Sequence, residues 1–392
     1  MEINMNNKKI LFIISNMESG GVSKSMTNLL SVIDRTRYDI SLLVLNPQGV
    51  FMDLLPSDIR IISDKNITAL NCRLKGFVEL IKNRRPLLAI GHLFRLAVSC
   101  INKGYAGWII SRLMPPLNDK FDVIVDYNGQ QQLYYMVDKL NGDKKITFFH
   151  NDYRKWPYYY NIDRKYFPKV DVIFSISEQC VQSLKDYFPN ESEKIYLMEN
   201  ISSPDLIRRL SEQQITDMDS SKPAFLTVGH ICRRKGSDTA IKAASILKTR
   251  GIDFNWYFIG KVSNDDDYRA LAARYNVTEK IHFLGIKANP YPYLKQATIY
   301  IHPSLFEGKS ISLDEAKILC KPIVVTNFST VYDQFTDRVN GSICAMNAED
   351  LADTIEELLN NDDLRNSYIR YLSDHTTDNC NEIAKLYSQF DN

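Results

Sequence analysis

The chain lacks any paired cysteine motif. Its cysteines, Cys72, Cys100, Cys180, Cys232, Cys320, Cys344 and Cys380, are scattered and odd in number. That pattern argues against a disulfide framework and a structural zinc site, and reads as reduced, mostly buried thiols in a cytoplasmic protein. No run approaches the roughly 18 apolar residues that a membrane-spanning helix needs. Lys8-Lys9 precede a short apolar run, Ile10-Leu-Phe-Ile-Ile, too brief for a secretory-signal core and better read as a first strand. The dinucleotide fingerprint G-x-G-x-x-G is missing. So is a Walker A loop: Ser23 stands where the glycine before Lys24 should be, and Pro303 takes the place of the first glycine ahead of Gly308-Lys309-Ser310. A net charge of +1 argues against a protein built mainly to bind nucleic acid. There is no internal repeat and no low-complexity tract.

What is present is an ordinary globular composition, 44% hydrophobic and 24% charged over 392 residues. That length suits two domains of roughly 150–200 residues. Short apolar runs at 9–15, 39–46, 59–62, 122–127, 145–149 and 171–176 predict buried parallel strands, with helices between them such as Ser23 to Ile33 and Glu178 to Tyr187. Residues 203–222 show little strand pattern and read as the connection between domains. A second series follows, with strands from Ala224 and at Phe254–Gly260, Ile281–Leu284, Ala297–Ile301, Pro322–Thr326 and Gly341–Cys344. Helices are predicted at 237–250, 267–275, 313–320 and 348–360. Two series of βα units predict an α/β protein with two facing Rossmann-like domains and a site in the cleft between them. The expected domains are 1–202 and 203–370, with a helix near 371–392 packing back on the first.

Chemistry concentrates at strand ends. Glu307 and Glu315 flank a strand-to-helix turn, Glu307 in the turn and Glu315 in the first turn of the helix. The backbone N–H groups of Gly308, Lys309, Ser310, Ile311 and Ser312 lie between them, where a helix start favours an anion. Carboxylates beside such an end suit a sugar joined to a nucleoside diphosphate. After another strand come His230, Arg233, Arg234, Lys235 and Gly236. Cations there oppose the dipole of the following helix unless an anion sits among them, and a solvated basic turn is the other reading. Gly20-Gly21 gives a turn that a phosphate can approach, or a plain βα connection. His150 and Asp152 close a further strand and would point into the cleft, or form a structural polar turn. Asp265-Asp266-Asp267 reads as a helix cap rather than a metal cluster.

In these motifs and their order the chain resembles the retaining glycosyltransferases of the GT-B class, family 4. The residues that carry the likeness are Phe306-Glu307-Gly308 through Asp314-Glu315-Ala316, followed by Lys321-Pro322. The Gly20-Gly21 turn, His150-Asn-Asp152, Ser175-Ile-Ser177-Glu178, the Lys235-Gly236 loop and Asn289-Pro290 fall in the family's order. The resemblance implies that Glu307 holds hydroxyls of the donor sugar, Glu315 the ribose, and Lys235 the diphosphate. It places His150 beside the reacting sugar, and implies no cofactor and no metal. Many members carry arginine where this chain has His230; Arg233, Arg234 or a hydrogen bond from His230 itself would take its place.

The activity so implied is transfer of a sugar from a nucleoside diphosphate to a glycan or lipid-linked acceptor in the synthesis of a bacterial-type surface polysaccharide. A non-catalytic nucleotide-sugar-binding module and an epimerase of the same fold are the alternatives. The stretch 71–112 interleaves Arg73, Lys75, Lys82, Arg84, Arg85, Arg95, Lys103 and Arg112 with apolar residues. It reads either as helices packed on the sheet or as a peripheral contact with an anionic membrane from the cytoplasmic side.

Overall fold

The computed structural model describes residues 7–18, 20–219, 221–263 and 267–392. It divides into two units, Met1–Ile201 with Asn381–Asn392, and Ser202–Cys380. Residues 371–380 stay with the second unit, and the segment that rejoins the first begins at Asn381.

The first unit is built on a parallel sheet of β1 (Lys8–Ile14), β2 (Tyr38–Val44), β3 (Arg60–Ile62), β4 (Lys120–Asp126), β5 (Asn141–Phe149), β6 (Val172–Ser175) and β7 (Ile195–Leu197). Their order is β3-β2-β1-β4-β5-β6-β7. Ile10 to Ile14 are fully buried, because a central parallel strand is covered on both faces. Ile10 pairs with Ile40 on one side and Val123 on the other. The sequence did not single out β7. It has only three residues and lies at the sheet edge with Tyr196 exposed, so no apolar run marks it. Between β3 and β4 run the helices Leu74–Lys82, Pro86–Ser99 and Lys103–Leu113.

The second unit holds β8 (Ala224–Val228), β9 (Asn255–Ile259), β10 (Ile281–Gly285), β11 (Ile299–His302), β12 (Ile323–Thr326) and β13 (Ser342–Cys344), in the order β10-β9-β8-β11-β12-β13. Each matches an expected strand. The connection 203–222, free of strands as expected, carries the helix Pro204–Ser211. Ser203 caps it by accepting the Leu206 N–H at 3.4 Å, and proline suits the first helical position. The helix escapes a periodicity reading because it is short and polar. Its fully buried Ile207 packs against Tyr291 and Ile318.

Two further expectations change. Only Cys180 and Cys344 are buried; Cys100 is exposed and the others are intermediate, so the thiols are not mostly buried. The helix expected from residue 313 starts at Ile311, because Ser310 is the extended residue before it. Glu315 therefore sits in the second turn of that helix, not the first.

In each sheet the strand order reverses once, between β1 and β4 and between β8 and β11. Connections leave such neighbours in opposite directions, so a crevice opens beyond their carboxyl ends.

Candidate functional site

At the end of β8 the chain passes Gly229 and the exposed His230, then makes a tight turn over Arg233–Lys235. Gly236 ends that turn at φ 69°, and a Cβ there would lie 1.8 Å from the Pro303 carbonyl oxygen. Only glycine permits both the left-handed backbone and this approach. The Leu305 N–H donates to the Arg234 carbonyl at 3.0 Å, which ties the turn to the loop after β11.

These contacts bring Lys235 to Glu307, Nζ to Oε1, at 2.5 Å. His302, the last residue of β11, places Nε2 2.9 Å from the same oxygen. His302 and Glu307 are buried. Burial pushes the Glu307 pKa up, but Lys235 and the His302 hydrogen bond overcome it and hold the carboxyl well below the usual carboxylate range. Burial draws the His302 pKa down against the pull of Glu307, so the neutral ring donates from Nε2. Hydroxyls fix the loop from behind. Thr330 donates to the Glu307 carbonyl at 3.2 Å and Thr326 to the Ser304 carbonyl at 2.5 Å. Sequence reasoning passed over His302; the only signal was a polar residue closing an apolar strand.

Gly308 and Lys309 follow in half-buried positions. The Ser310 N–H reaches Gln334 Oε1 at 3.4 Å, and Ser310 and Ser312 share a hydroxyl contact at 3.1 Å. Ile311 begins the helix. Glu315 is buried, with Oε1 accepting from the Tyr291 hydroxyl at 2.9 Å. The second unit thus gathers Lys235, Glu307 and the helix start, with Glu315 deeper in the same helix. His230 stays exposed. Partial burial and the charges of Lys261, Arg234 and Lys235 lower its pKa, so those neighbours rather than the His230 ring supply the positive charge.

In the first unit, Gly20 precedes the helix Gly21–Val32 with φ 153°, and a Cβ on it would meet nothing within 4 Å. His150 follows β5 with its ring 4.7 Å from Tyr127 and 5.7 Å from Phe148, centroid to centroid. Its Nε2 is buried and has no hydrogen-bond partner among the described residues. Burial pushes its pKa down to about 4, against hydrogen bonds with the Tyr127 backbone and Asn200. The Tyr127 hydroxyl meets Ser25 Oγ at 2.8 Å, and Ser25 donates to Asn200 at 2.7 Å. Asp152, read either as pointing into a cleft or as part of a structural polar turn, accepts from the Arg154 backbone at 3.1 Å and its side chain at 3.0 Å. It is a turn residue.

Asp267 caps the helix Tyr268–Arg274 by accepting from Arg269 and Ala270 N–H groups; Asp265 and Asp266 lie outside the described residues. Among the described residues no group of three or more His, Cys, Asp or Glu side chains is placed to hold a metal.

Residues 209–374 match the family model described as glycosyl transferases group 1. A relative in Campylobacter jejuni, N-acetylgalactosamine-N,N'-diacetylbacillosaminyl-diphospho-undecaprenol 4-alpha-N-acetylgalactosaminyltransferase, is 24% identical over 204 residues, 52% of this chain and 54% of that protein. The chain spans about half the length of that relative. The putative glycosyltransferase EpsF of Bacillus subtilis is 20% identical over 87% of this chain and 83% of its own. Among solved structures, a glycosyltransferase from Rickettsia africae superposes with a TM-score of 0.66 at 17% identity, covering 98% of each chain. HepE of Anabaena, in complex with UDP-glucose, gives 0.69 at 14% identity over 97% of this chain and 100% of that one. These likenesses assign the fold to the GT-B class.

Proposed function

We propose, for a chain whose residues 209–374 match the model of glycosyl transferases group 1, that it is a retaining glycosyltransferase. It moves a sugar from a nucleoside diphosphate to a glycan or lipid-linked acceptor in surface-polysaccharide synthesis. The observation that carries this reading is the Lys235–Glu307–His302 cluster beyond β8 and β11, at the switch point of the second sheet. Lys235 and His302 both meet the Glu307 carboxylate at Oε1, which leaves Oε2 to accept a sugar hydroxyl. Glu315, set by Tyr291, takes the ribose. Lys235 and the N–H groups before Ile311 take the diphosphate.

In the transfer, the bond from the anomeric carbon to the β-phosphate oxygen breaks and a bond to the acceptor oxygen forms on the same face. The acceptor proton passes to the leaving phosphate. Negative charge grows on that phosphate, and a fixed cation with backbone amides stabilises it in place. No divalent ion is needed on this reading; loss of activity in chelator, restored only by Mn²⁺ or Mg²⁺, would sink that part. His150 keeps the place beside the reacting sugar that the resemblance gives it, and the Gly20-Gly21 turn is one that a phosphate can approach.

Thermal-shift screening against UDP, GDP, ADP and CMP sugars, followed by transfer assays with the stabilising donor, tests the proposal. Saturable binding of one donor with transfer to an acceptor supports it. Binding without transfer or hydrolysis points to a non-catalytic module, and conversion of the sugar without an acceptor to an epimerase.

The first unit also supports the membrane reading of residues 71–112. Leu74 and Val78 on the helix Leu74–Lys82 are exposed, as are Leu87 (82%), Ile90 and Phe94 on the helix Pro86–Ser99 and Ile101 (89%) just beyond it. Arg73, Lys75, Lys82, Arg84 and Arg85 are exposed among them. Apolar side chains ringed by cations complement an anionic bilayer surface. Flotation with phosphatidylglycerol vesicles at low salt tests this, and a chain that stays in the aqueous fraction overturns it.

A further inference from the structure

Two polar rings stand on one face of β11. Tyr300 and His302 are two residues apart, so the pleat turns both to the same side of the sheet. Tyr300 is fully buried and His302 is 2% exposed. The strand lies between β8 and β12, where apolar side chains are expected on both faces. A tyrosine in that place needs partners for its hydroxyl.

The Tyr300 hydroxyl lies 3.4 Å from His302 Nδ1. Its oxygen also takes hydrogen bonds from the Ser312 side chain and the Val228 backbone. With those donors on the oxygen, the hydroxyl proton is left for the acceptor, Nδ1. Burial, with Glu315 and Glu307 nearby, raises the Tyr300 pKa, so that proton stays on the oxygen. A neutral ring that accepts at Nδ1 carries its own proton on Nε2, the atom 2.9 Å from Glu307 Oε1. The titratable groups that meet His302 are Tyr300 on its own strand, Glu307 on the loop after β11 and Lys235 on the turn after β8. From the β12 side, Thr326 donates to the His302 carbonyl at 3.3 Å and the Phe328 ring stands edge-on at 6.0 Å, and neither titrates. The contacts form one series. Ser310 Oγ meets Ser312 Oγ at 3.1 Å, and from Ser312 the series runs through Tyr300, His302 and Glu307 to Lys235. It joins the start of the helix Ile311–Ile318 to the Lys235 turn.

We infer that Tyr300 is a positioning residue for the donor site: its hydroxyl fixes His302 in the neutral form that donates to Glu307, and ties that carboxylate to the helix start. The order of the hydrogen bonds stands on the geometry; its bearing on transfer rests on the glycosyltransferase reading. Without the hydroxyl, Nδ1 is an open acceptor inside the cluster and takes a proton more readily. A charged ring beside Glu307 then competes with the sugar for the carboxylate.

The test is Tyr300→Phe in the full chain, which removes one oxygen and keeps the ring. Long-range proton–nitrogen NMR on histidine-labelled protein follows the His302 ring from pH 8 to pH 4, assigned by the signals lost in His302→Phe. The wild type is expected to hold its proton on Nε2 with Nδ1 bare. In Tyr300→Phe the midpoint for the second proton is expected to rise by about one pH unit, the scale of one hydrogen bond. Ser312→Ala takes one donor from the Tyr300 oxygen and leaves the two rings in place. It should move the midpoint the same way by less, and it serves if Tyr300→Phe does not fold. Transfer assays with the UDP, GDP, ADP or CMP sugar that the screen selects give the second arm. Tyr300→Phe should lower kcat/KM about fivefold in the wild type but less than about twofold in His302→Phe, because a residue acting through His302 has nothing to act on once that ring is gone. An unmoved midpoint in a folded variant, or equal losses in both backgrounds, overturns the proposal. A moved midpoint in a chain that transfers no sugar sinks the transfer reading and leaves the order of Tyr300, His302 and Glu307 standing.

Discussion

Lys235 Nζ and Glu307 Oε1 lie 2.5 Å apart, a contact between two loops that follow different strands of one sheet. The pair is largely removed from solvent, Lys235 at 21% and Glu307 at 7% side-chain exposure. Removing one partner leaves the other charge unmatched, which for a fully buried pair costs about 3–5 kcal/mol. With Lys235 partly exposed, the expected loss for Lys235→Met is smaller, about 2 kcal/mol. Transfer is expected to vanish in Lys235→Ala and in Glu307→Ala while circular dichroism stays native. The double variant should lose less stability than the two singles added together. Near wild-type turnover in either single variant would refute the site.

His302 acts on Glu307 rather than on a substrate. Its Nε2–H helps keep the carboxylate ionised, so His302→Phe lets the Glu307 pKa climb toward the ordinary carboxylate range. A group whose folded pKa is depressed loses its charge as pH falls through that value, so raising the value moves the acid limb of activity to higher pH. The pH profile of kcat/KM for His302→Phe should show that shift, together with a fall of about tenfold at the optimum. An unmoved acid limb removes His302 from this role.

Gly236 is the hinge of the Lys235 turn. Gly236→Ala puts a methyl group against the Pro303 carbonyl and a side chain at φ 69°, so the turn and the loop after β11 must separate. The expected loss is about 2 kcal/mol or more. Donor affinity should fall with it, since Lys235 moves with the turn. A melting temperature equal to wild type contradicts this packing.

His150 supplies a pH dependence of stability with a definite sign. Its folded pKa of about 4 lies below the unfolded value of 6.5. Above pH 6.5 both states are neutral and nothing is lost. As pH falls from 6.5 to 4 the unfolded chain takes up the proton first, so stability drops, by up to about 3 kcal/mol. Asp126 and Asp163, pushed up to about 7 mainly by burial, act in the opposite direction over the same window. The difference between wild type and His150→Gln therefore isolates the histidine. Urea midpoints from pH 7 to pH 4 should fall more steeply in wild type, and parallel curves exclude the assignment.

Most of the architecture could be read from the sequence because buried parallel strands are written as apolar runs. β1, β8 and β11 are plain in Ile10 to Ile14, Ala224 to Val228 and Ile299 to Ile301. Where the signal failed, burial was small or contacts were distant. β7 is a short edge strand, and Pro204–Ser211 buries little beyond Ile207 and its neighbours. At the candidate site Glu307, Lys235 and Gly236 stood out because they lie in polar turns that follow apolar strands, and Glu315 because it reads as opening the helical run after one of those turns. His302 and Tyr291 did not, since their significance comes from partners 5 and 24 positions away that only the fold brings near. Asp152 stayed open between two readings because a polar residue at a strand end serves a turn as readily as a ligand, and only its contacts with Arg154 decide for the turn.

The helix Ile383–Asp391 finishes the first unit. Phe390 meets Phe12 and Tyr38 edge-on, and Tyr387 stacks on Tyr38 at 5.3 Å between ring centroids. This sets the order of biosynthesis. When residue 380 leaves the ribosome, the second unit has all of its chain, while Phe12 and Tyr38 still wait for the cover that Phe390 and Tyr387 provide. The usual progression, amino-terminal part first, is inverted here. A nascent chain stalled before Ile383 emerges would carry the whole of the second unit with Phe12 and Tyr38 still uncovered.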